Sequence, residues 1–498
     1  MKMRALGWLG TTLLLAGMAR AQSTPPQEVQ WKSARPVGIV PVKHEAPEPT
    51  PMAPAVVDQH PSLPINLATA MELACARPLD VQVASRQVRI AAAQYDRAKF
   101  LTLPTIIGGV DYFHHDGAVQ NFQGDVINKS RSSFMVGGGA NAVFGLNDAI
   151  FAPLAARQDL QARKAVLQAV HNDAATSVAE AYFTVQQARG ELALARVIVK
   201  EAEELVRRTQ QLADNLAPPV EATRARVELA RRRQAATIQQ ERWSLASAEL
   251  VRLLRLESSA IVEPIEPPDL VVTIIEPNFS LDDLIAIGLT ARPELAASQA
   301  IVQASLQRLR QEKMRPLIPS VLLRSASTNP SGSLAYGAFS GGSGGGGDMR
   351  SRFDYDVQVL WEVQNLGLGN KARIEERKAE RDIALLEVFR IQDRVAAEVA
   401  VAHAQVKSAR ERLIYSEPAV KDAMESLKKN MDGLAQTRRV GNVLILVVRP
   451  QEVVAALQAL GQANSDYYAA VADFNRAQFR LYRATGHSAQ CLPAAVQK

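Results

Sequence analysis

Between Pro153 and Pro218 the chain runs for 64 residues, Leu154 to Ala217, with no proline and one glycine, Gly190. Inside that run Ala174, Val178, Ala181, Val185, Ala188, Leu192, Ala195, Val199, Ala202 and Val206 recur at alternating steps of four and three. That is the spacing of a coiled-coil seam. One helix of this length would extend about 96 Å, more than a compact domain can bury. The run therefore predicts an elongated, helix-built molecule.

The two ends are of a different kind. Lys2 and Arg4, the apolar stretch Leu6 to Met18, and Ala19-Arg20-Ala21 before Gln22 predict a secretory signal peptide over residues 1–21. Removing its Lys2, Arg4 and Arg20 takes the formal net charge from +6 to +3, so the basic pI of 9.3 gives no reason to expect nucleic acid as a partner. The mature chain has no stretch of about 18 apolar residues, the least a transmembrane helix needs. Residues 22–63 are crowded with prolines and predict an extended or disordered lead-in. Cys75 and Cys491 leave two readings open, a disulfide in an oxidising compartment or, favoured for Cys75 among its alanines and leucines, an inert buried thiol.

The body of the chain is an internal duplication. Ala76-Arg77-Pro78 recurs as Ala291-Arg292-Pro293, and Leu103-Pro104 as Ile318-Pro319, both at an offset of 215. The predicted division is repeat 1 at 64–262, a proline-rich crossover at 263–279, repeat 2 at 280–486 and a tail at 487–498. Each repeat holds a short helix, a longer helix, a β-hairpin (105–146 and 320–363) and a long helical hairpin (148–257 and 371–485). The second β-hairpin carries the clearer signal. Phe353, Tyr355, Val357, Val359, Trp361 and Val363 alternate with Asp354, Asp356, Gln358, Leu360 and Glu362, one face aromatic and apolar and the other polar. The first hairpin places Phe134, Val136, Ala140, Ala142 and Phe144 on one face. Its expected loop spans Asp116 to Ser132, and the second loop, Asn329 to Arg352, contains the glycine run Gly341 to Gly347. Strands of about ten residues with this alternation suit a β-barrel wall with a wet lumen, and equally a half-buried soluble sheet. As membrane strands they require several chains to share one barrel, because an open sheet edge is not viable in lipid.

This order of elements resembles the TolC-type outer membrane factor family from about Pro64 to Gly486. The resemblance rests on the duplicated Arg-Pro entry, the Leu-Pro before the first strand, and Leu360-Trp361-Glu362-Val363 followed by Gly367 and Gly369. It also rests on the turn Arg439-Val440-Gly441-Asn442 and on the closing stretch Tyr467-Tyr468, Asn475-Arg476-Ala477, Leu481 and Thr485-Gly486. What it implies is a mixed α and β fold with internal duplication. Each protomer of a homotrimer gives four strands to a shared transmembrane β-barrel above a long α-helical coiled-coil periplasmic tunnel. The implied function is passive export across the outer membrane, with a periplasmic adaptor and an inner-membrane pump as partners. A periplasmic adaptor or structural coiled-coil protein is the alternative.

Under this resemblance Phe353, Tyr355, Val357, Val359 and Trp361 face lipid, and Asp354, Asp356 and Glu362 line a lumen expected to tolerate cations. The tips expected to meet the adaptor are Pro219, Val220, Glu221 and Arg226 in the first helical hairpin and Gly441, Asn442, Val443 and Leu444 in the second. Pro219 and Glu221 are also ordinary first-turn helix residues. The second tip lacks the acidic residue usual in the family and continues as the apolar run Val443 to Val448, which suggests a hydrophobic docking surface or plug as readily as packing within the protomer. Lys428, Lys429, Arg438 and Arg439 cluster nearby; three copies around an axis would repel one another and could favour an anion path or need a partner, and a solvated helix face is the favoured reading. No phosphate loop, paired-cysteine metal motif or nucleophile-base arrangement occurs in the sequence. His114 and His115 beside Asp111 and Asp116 read as a solvated strand end. No enzyme activity, cofactor or metal is expected, and the energy for transport must come from a partner.

Overall fold

A computed structural model describes residues 62–487 apart from 77, 214–217, 277–278, 325–335, 343–349, 354–355, 435 and 441–442. The signal peptide, nearly all of the lead-in, Cys491 and the tail beyond 487 lie outside the described residues. The chain begins with strand β1 (Ser62–Ile65) and helices α1 (Leu67–Ala76) and α2 (Leu79–Lys99). Strands β2 (Thr105–Gln120) and β3 (Val126–Gly145) lead into α3 (Leu146–Ala213) and α4 (Pro219–Leu254). After β4 (Ile261–Pro264) the order repeats with α5 (Leu281–Ala291) and α6 (Pro293–Met314). Strands β5 (Ser320–Arg324), β6 (Tyr336–Gly342), β7 (Arg350–Phe353) and β8 (Asp356–Leu360) follow. The second long pair is α7 (Leu368–Leu434) and α8 (Pro450–Ala484), separated by β9 (Thr437–Val440) and β10 (Val443–Leu446).

The helix limits have local causes. Pro219, Pro293 and Pro450 each open a helix in its first turn, where proline's missing N–H costs nothing. Ser280 caps α5 by accepting the Asp283 N–H at 3.2 Å. Gly486, at φ +80°, closes α8 with its N–H on the Arg483 carbonyl. Helix α7 continues through Pro418. The 68 residues of α3 correspond to about 100 Å, and its one mid-run glycine marks a crossing. A side chain at Gly190 would lie 2.9 Å from Pro268 and 3.1 Å from Tyr468.

The seams are where the cores lie. On α7 and α8, Val395, Val399, Ala402, Val406, Val453, Leu457, Leu460 and Val471 are buried. On α3 the predicted seam holds through Val178, Val185, Leu192 and Ala202, while Ile198 and Leu205 are buried where Val199 and Val206, one residue on, are only half-buried. A strict seven-residue repeat drifts around a 3.6-residue helix, and α3 changes partners among α2, α6, α4 and α8 along its length. One core joins α1, α3, α4, β4 and α8 around Leu67, Tyr182, Phe183, Leu250 and Phe479. A second, toward the helical tips, joins α3, α4, α7 and α8.

Strands β2, β3 and β5–β8 form one sheet. β3 pairs along its length with β2, and on its other edge first with β5 (Gly145↔Ser320 to Asn141↔Arg324) and then with β6 (Gly138↔Tyr336 to Ser132↔Gly342). β8 and β7 flank β5 and β6 in the same way. The sheet is thus four strands wide, the third and fourth each in two segments. β1 lies parallel to β4, so the end of the lead-in and the start of the crossover hold one another.

Three expectations from the sequence need correction. β2 and β3 run on through most of the expected loop Asp116 to Ser132, pairing as far as Gln120↔Val126. Polarity suggested a loop, but a ladder needs only backbone groups. The turn is made by Asn121, whose Oδ1 accepts the N–H groups of Gln123 at 3.0 Å and Asp125 at 2.8 Å. The expected second loop also carries strand, β6 and the start of β7. Finally, the predicted strand Phe353 to Val363 ends at Leu360, where its partner β5 begins at Ser320.

Candidate channel wall and docking tips

Cross-strand partners share a face, so the register assigns every described wall position. One face carries Ile106, Val110 and Tyr112 of β2, Phe134, Val136 and Phe144 of β3, Val321 and Leu323 of β5, and Val357 and Val359 of β8. Ile106, Val110, Tyr112, Leu323, Val357 and Val359 are exposed. Large apolar side chains laid contiguously and left uncovered mark a contact surface. The other face holds Asp111, Phe113, His115, Met135, Asp356 and Gln358, all half-buried or buried. Gln358 donates to Asp356 at 2.7 Å.

Val357 and Val359 therefore stand on the apolar face, and Asp356 on the other. Phe353 pairs with Tyr336 along the backbone ladder. Asp354 and Tyr355 lie outside the described residues. Trp361 and Glu362 follow the last rung, both exposed, and Glu362 accepts from Gln364 at 2.6 Å. Asn365, Leu366 and Gly367 then take positive φ values of 49°, 55° and 88°. This left-handed turn swings the chain from sheet to α7, and it is latched by Asn370, which accepts the Gln364 N–H at 2.8 Å. His114 and His115 point to opposite faces of β2 and gather no further ligands. No group able to hold a metal occurs among the described residues.

At the first tip Pro218 caps α4, Pro219 opens it, Val220 is exposed, and Glu221 accepts from Arg224 at 2.6 Å. Arg226 is exposed, with Thr223 as a hydrogen-bond partner. At the second tip the expected helical turn is a two-stranded β-ribbon, Val443↔Val440 to Leu446↔Thr437, bridged by Gly441 and Asn442, which lie outside the described residues. α7 accordingly stops at Leu434, short of the expected Arg439. Lys429 pairs with Glu425 at 2.7 Å, and Lys428 is exposed. Val448 packs into the core beneath the tip.

Sequence reasoning missed the clasp that holds the crossover against the long helices. Glu266 accepts the Leu67 N–H at 2.8 Å and the Tyr182 hydroxyl. Burial, then this hydrogen bond to a carboxylate, raises the Tyr182 pKa. Trp243 donates to the Val262 carbonyl at 3.1 Å. Buried Asn475 accepts the Val272 N–H at 2.8 Å and donates to the Leu270 carbonyl at 2.7 Å, while Gln478 accepts from Ile274 and Ile275. Backbone that pairs with no strand is satisfied here by side chains. The repeat landmark Arg292 is buried, bonded to Glu294 at 2.9 Å and Glu398 at 2.8 Å. Arg483 joins the same carboxylates and Asp173. Burial alone would lower the Arg483 pKa, but these partners raise it.

Residues 70–254 match the family model described as outer membrane efflux protein. No curated protein matches the chain. Among solved structures, a membrane protein from Pseudomonas aeruginosa superposes with a TM-score of 0.69 at 18% identity, covering 84% of this chain and 92% of that one. The CmeC outer membrane channel of Campylobacter jejuni gives 0.67 at 15%, covering 84% and 85%. The open MtrE outer membrane channel of Neisseria gonorrhoeae gives 0.66 at 17%, covering 84% and 89%. Residues 70–254 thus resemble the outer membrane efflux proteins, and the likeness to these solved outer membrane structures, one of fold, extends over 84% of the chain.

Proposed function

We propose that this protein is the outer-membrane channel of an efflux or type I secretion system, passive itself and supplied by a periplasmic adaptor and an inner-membrane pump. The observation that carries this reading is the sheet. It is four strands wide, its exposed face is apolar, and among the described residues β2 pairs only with β3 and β8 only with β5. An apolar face suits lipid, but free edges in lipid leave backbone groups unsatisfied. Edge-to-edge closure among copies removes both edges, and the fold's solved relatives support outer-membrane placement. Three copies joined through β2 and the β7–β8 edge make a twelve-strand barrel. In that barrel Val357 and Val359, with Phe353, Tyr355 and Trp361, meet lipid. The two helical hairpins form the tunnel, with Val220, Glu221 and Arg226 at one tip and the ribbon around Gly441 and Val443 at the other as the adaptor's contacts.

The test is fractionation followed by sizing. The protein should resist extraction by salt, require detergent, and run as three protomer masses. Deleting it should lower tolerance to toxic compounds as much as deleting its pump does. Release as a buffer-soluble monomer would refute the assignment.

A further inference from the structure

The internal duplication carries pairing as well as element order. Within repeat 1, β2 meets β3 with Thr105 across from Asn141, and within repeat 2, β5 meets β8 with Ser320 across from Leu360. Thr105 and Ser320 stand at the offset of 215 that relates Leu103-Pro104 to Ile318-Pro319 just before them. Leu360 of β8 therefore occupies the place of Asn141 of β3. The junction between the repeats is paired too, β3 against β5 from Asn141↔Arg324 to Gly145↔Ser320. At the same offset Gly109 stands for Arg324 and Thr105 for Ser320. Carried over, this junction becomes a second of the same kind, β8 of one copy against β2 of the next, from Leu360↔Gly109 to Gln364↔Thr105.

We propose that β8 of one copy pairs antiparallel with β2 of the next in this register, and that Trp361 to Val363 become strand when they meet it. This rests on the channel reading, which makes a second copy the occupant of both edges. The faces agree with the register. A slip of one residue would set the apolar face of one strand against the polar face of the other. Instead Val359 falls across from Val110 and Val357 across from Tyr112, all four exposed on the apolar face. Gln358 and Asp356 fall across from Asp111 and Phe113, all four half-buried on the other face. Toward the helices Trp361 falls across from Gly108 and Val363 across from Ile106. An aromatic ring beside a strand glycine covers backbone that the glycine leaves bare. Trp361 and Val363 are 61% and 59% exposed, and Val363 already holds extended backbone at φ −112° and ψ 97°. This accounts for an alternation that runs on to Val363 although β8 ends at Leu360. The partner of the last rungs is on another molecule.

The helices carry the same relation. Within a copy, Asp148 of α3 accepts from Gln311 at 2.8 Å and Arg315 at 3.0 Å on α6. Lys371 follows buried Asn370 at the start of α7 as Asp148 follows buried Asn147 at the start of α3, and Asp96 stands for Gln311. An acid facing an amide within the copy thus becomes a base facing an acid between copies. Lys371 and Asp96 are both exposed, and Asp96 also holds Lys99 at 2.7 Å.

The test is thiol cross-linking of the full-length chain in outer membranes, in a Cys75→Ala, Cys491→Ala background. Val110→Cys combined with Val359→Cys places two thiols directly across an antiparallel pair. Oxidation or a short thiol-reactive linker should give covalent dimers and trimers on denaturing gels. Val110→Cys combined with Val357→Cys, two residues out of register on the same face, should leave most of the protein uncross-linked. Amide hydrogen exchange on the unsubstituted, detergent-purified trimer decides the matter where a cysteine variant fails to assemble, and should be slow over Trp361 to Val363. Cross-linking at the slipped pair instead of the matched one, or fast exchange over Trp361 to Val363 in an intact trimer, overturns the register and leaves the channel reading standing. A purified chain that sizes as a monomer removes the channel reading, and this inference with it.

Discussion

At the residue scale the most instructive side chain is Asn475. It belongs to a stretch that resembles the family's last helix, yet its sequence neighbourhood shows no reason for an asparagine on a buried face. The reason lies about 200 residues away. Its amide satisfies one donor and one acceptor of the crossover, at Val272 and Leu270. An unsatisfied buried backbone group costs about 1–3 kcal/mol. Asn475→Ala should therefore destabilise the fold by roughly 2–4 kcal/mol and open the crossover near Leu270 to protease, read as a lower denaturant midpoint and a new cleavage product. Unchanged protease resistance would mean that the crossover is held by Glu266 and Gln478 without it. Gly190 teaches a related lesson. Its helix-weakening presence in an otherwise unbroken run is explained by Pro268 and Tyr468 crossing against it.

At the element scale the second tip departs most from expectation. A helix–turn–helix was anticipated, and a two-stranded ribbon, Thr437–Val440 with Val443–Leu446, intervenes. The sequence held the signal, since Val443 to Val448 is a β-branched and leucine run next to Gly441-Asn442, a turn pair. An isolated two-stranded ribbon is marginally stable in water, so this one depends on Val448 packing into the core below. On the channel reading, replacing Thr437–Leu446 with a short Gly-Ser turn should leave trimer assembly and outer-membrane placement unchanged. It should reduce cross-linking to the adaptor and raise drug sensitivity to the level of the deletion strain. Full efflux in that variant would exclude the ribbon from docking.

At the scale of the whole molecule, the channel reading resolves together the exposed apolar face and the edges at β2 and β8, unpaired among the described residues, by association of copies in a bilayer. Val110 lies on that face, 65% exposed. Val110→Arg should cost about 2–4 kcal/mol per protomer if it sits near the bilayer midplane, seen as lost heat-resistant trimer in outer-membrane fractions. Gln358→Arg, on the opposite face, should assemble normally. Equal tolerance of both substitutions would contradict the lipid assignment of the apolar face.

Periodicity and punctuation in the chain were enough to establish the duplication, the long helices with their proline starts and glycine stop, and the alternating strands. Each depends on residues a few positions apart, where spacing alone decides which side chains share a face. Tertiary structure decided the rest. The length of β2 and β3, the closing of the crossover on Asn475 and Glu266, and the burial of Ile198 and Leu205 beside the predicted α3 seam all depend on partners far along the chain. Ladder pairing and helix packing join residues by position in space, and no local pattern records which distant strand or helix supplies the partner.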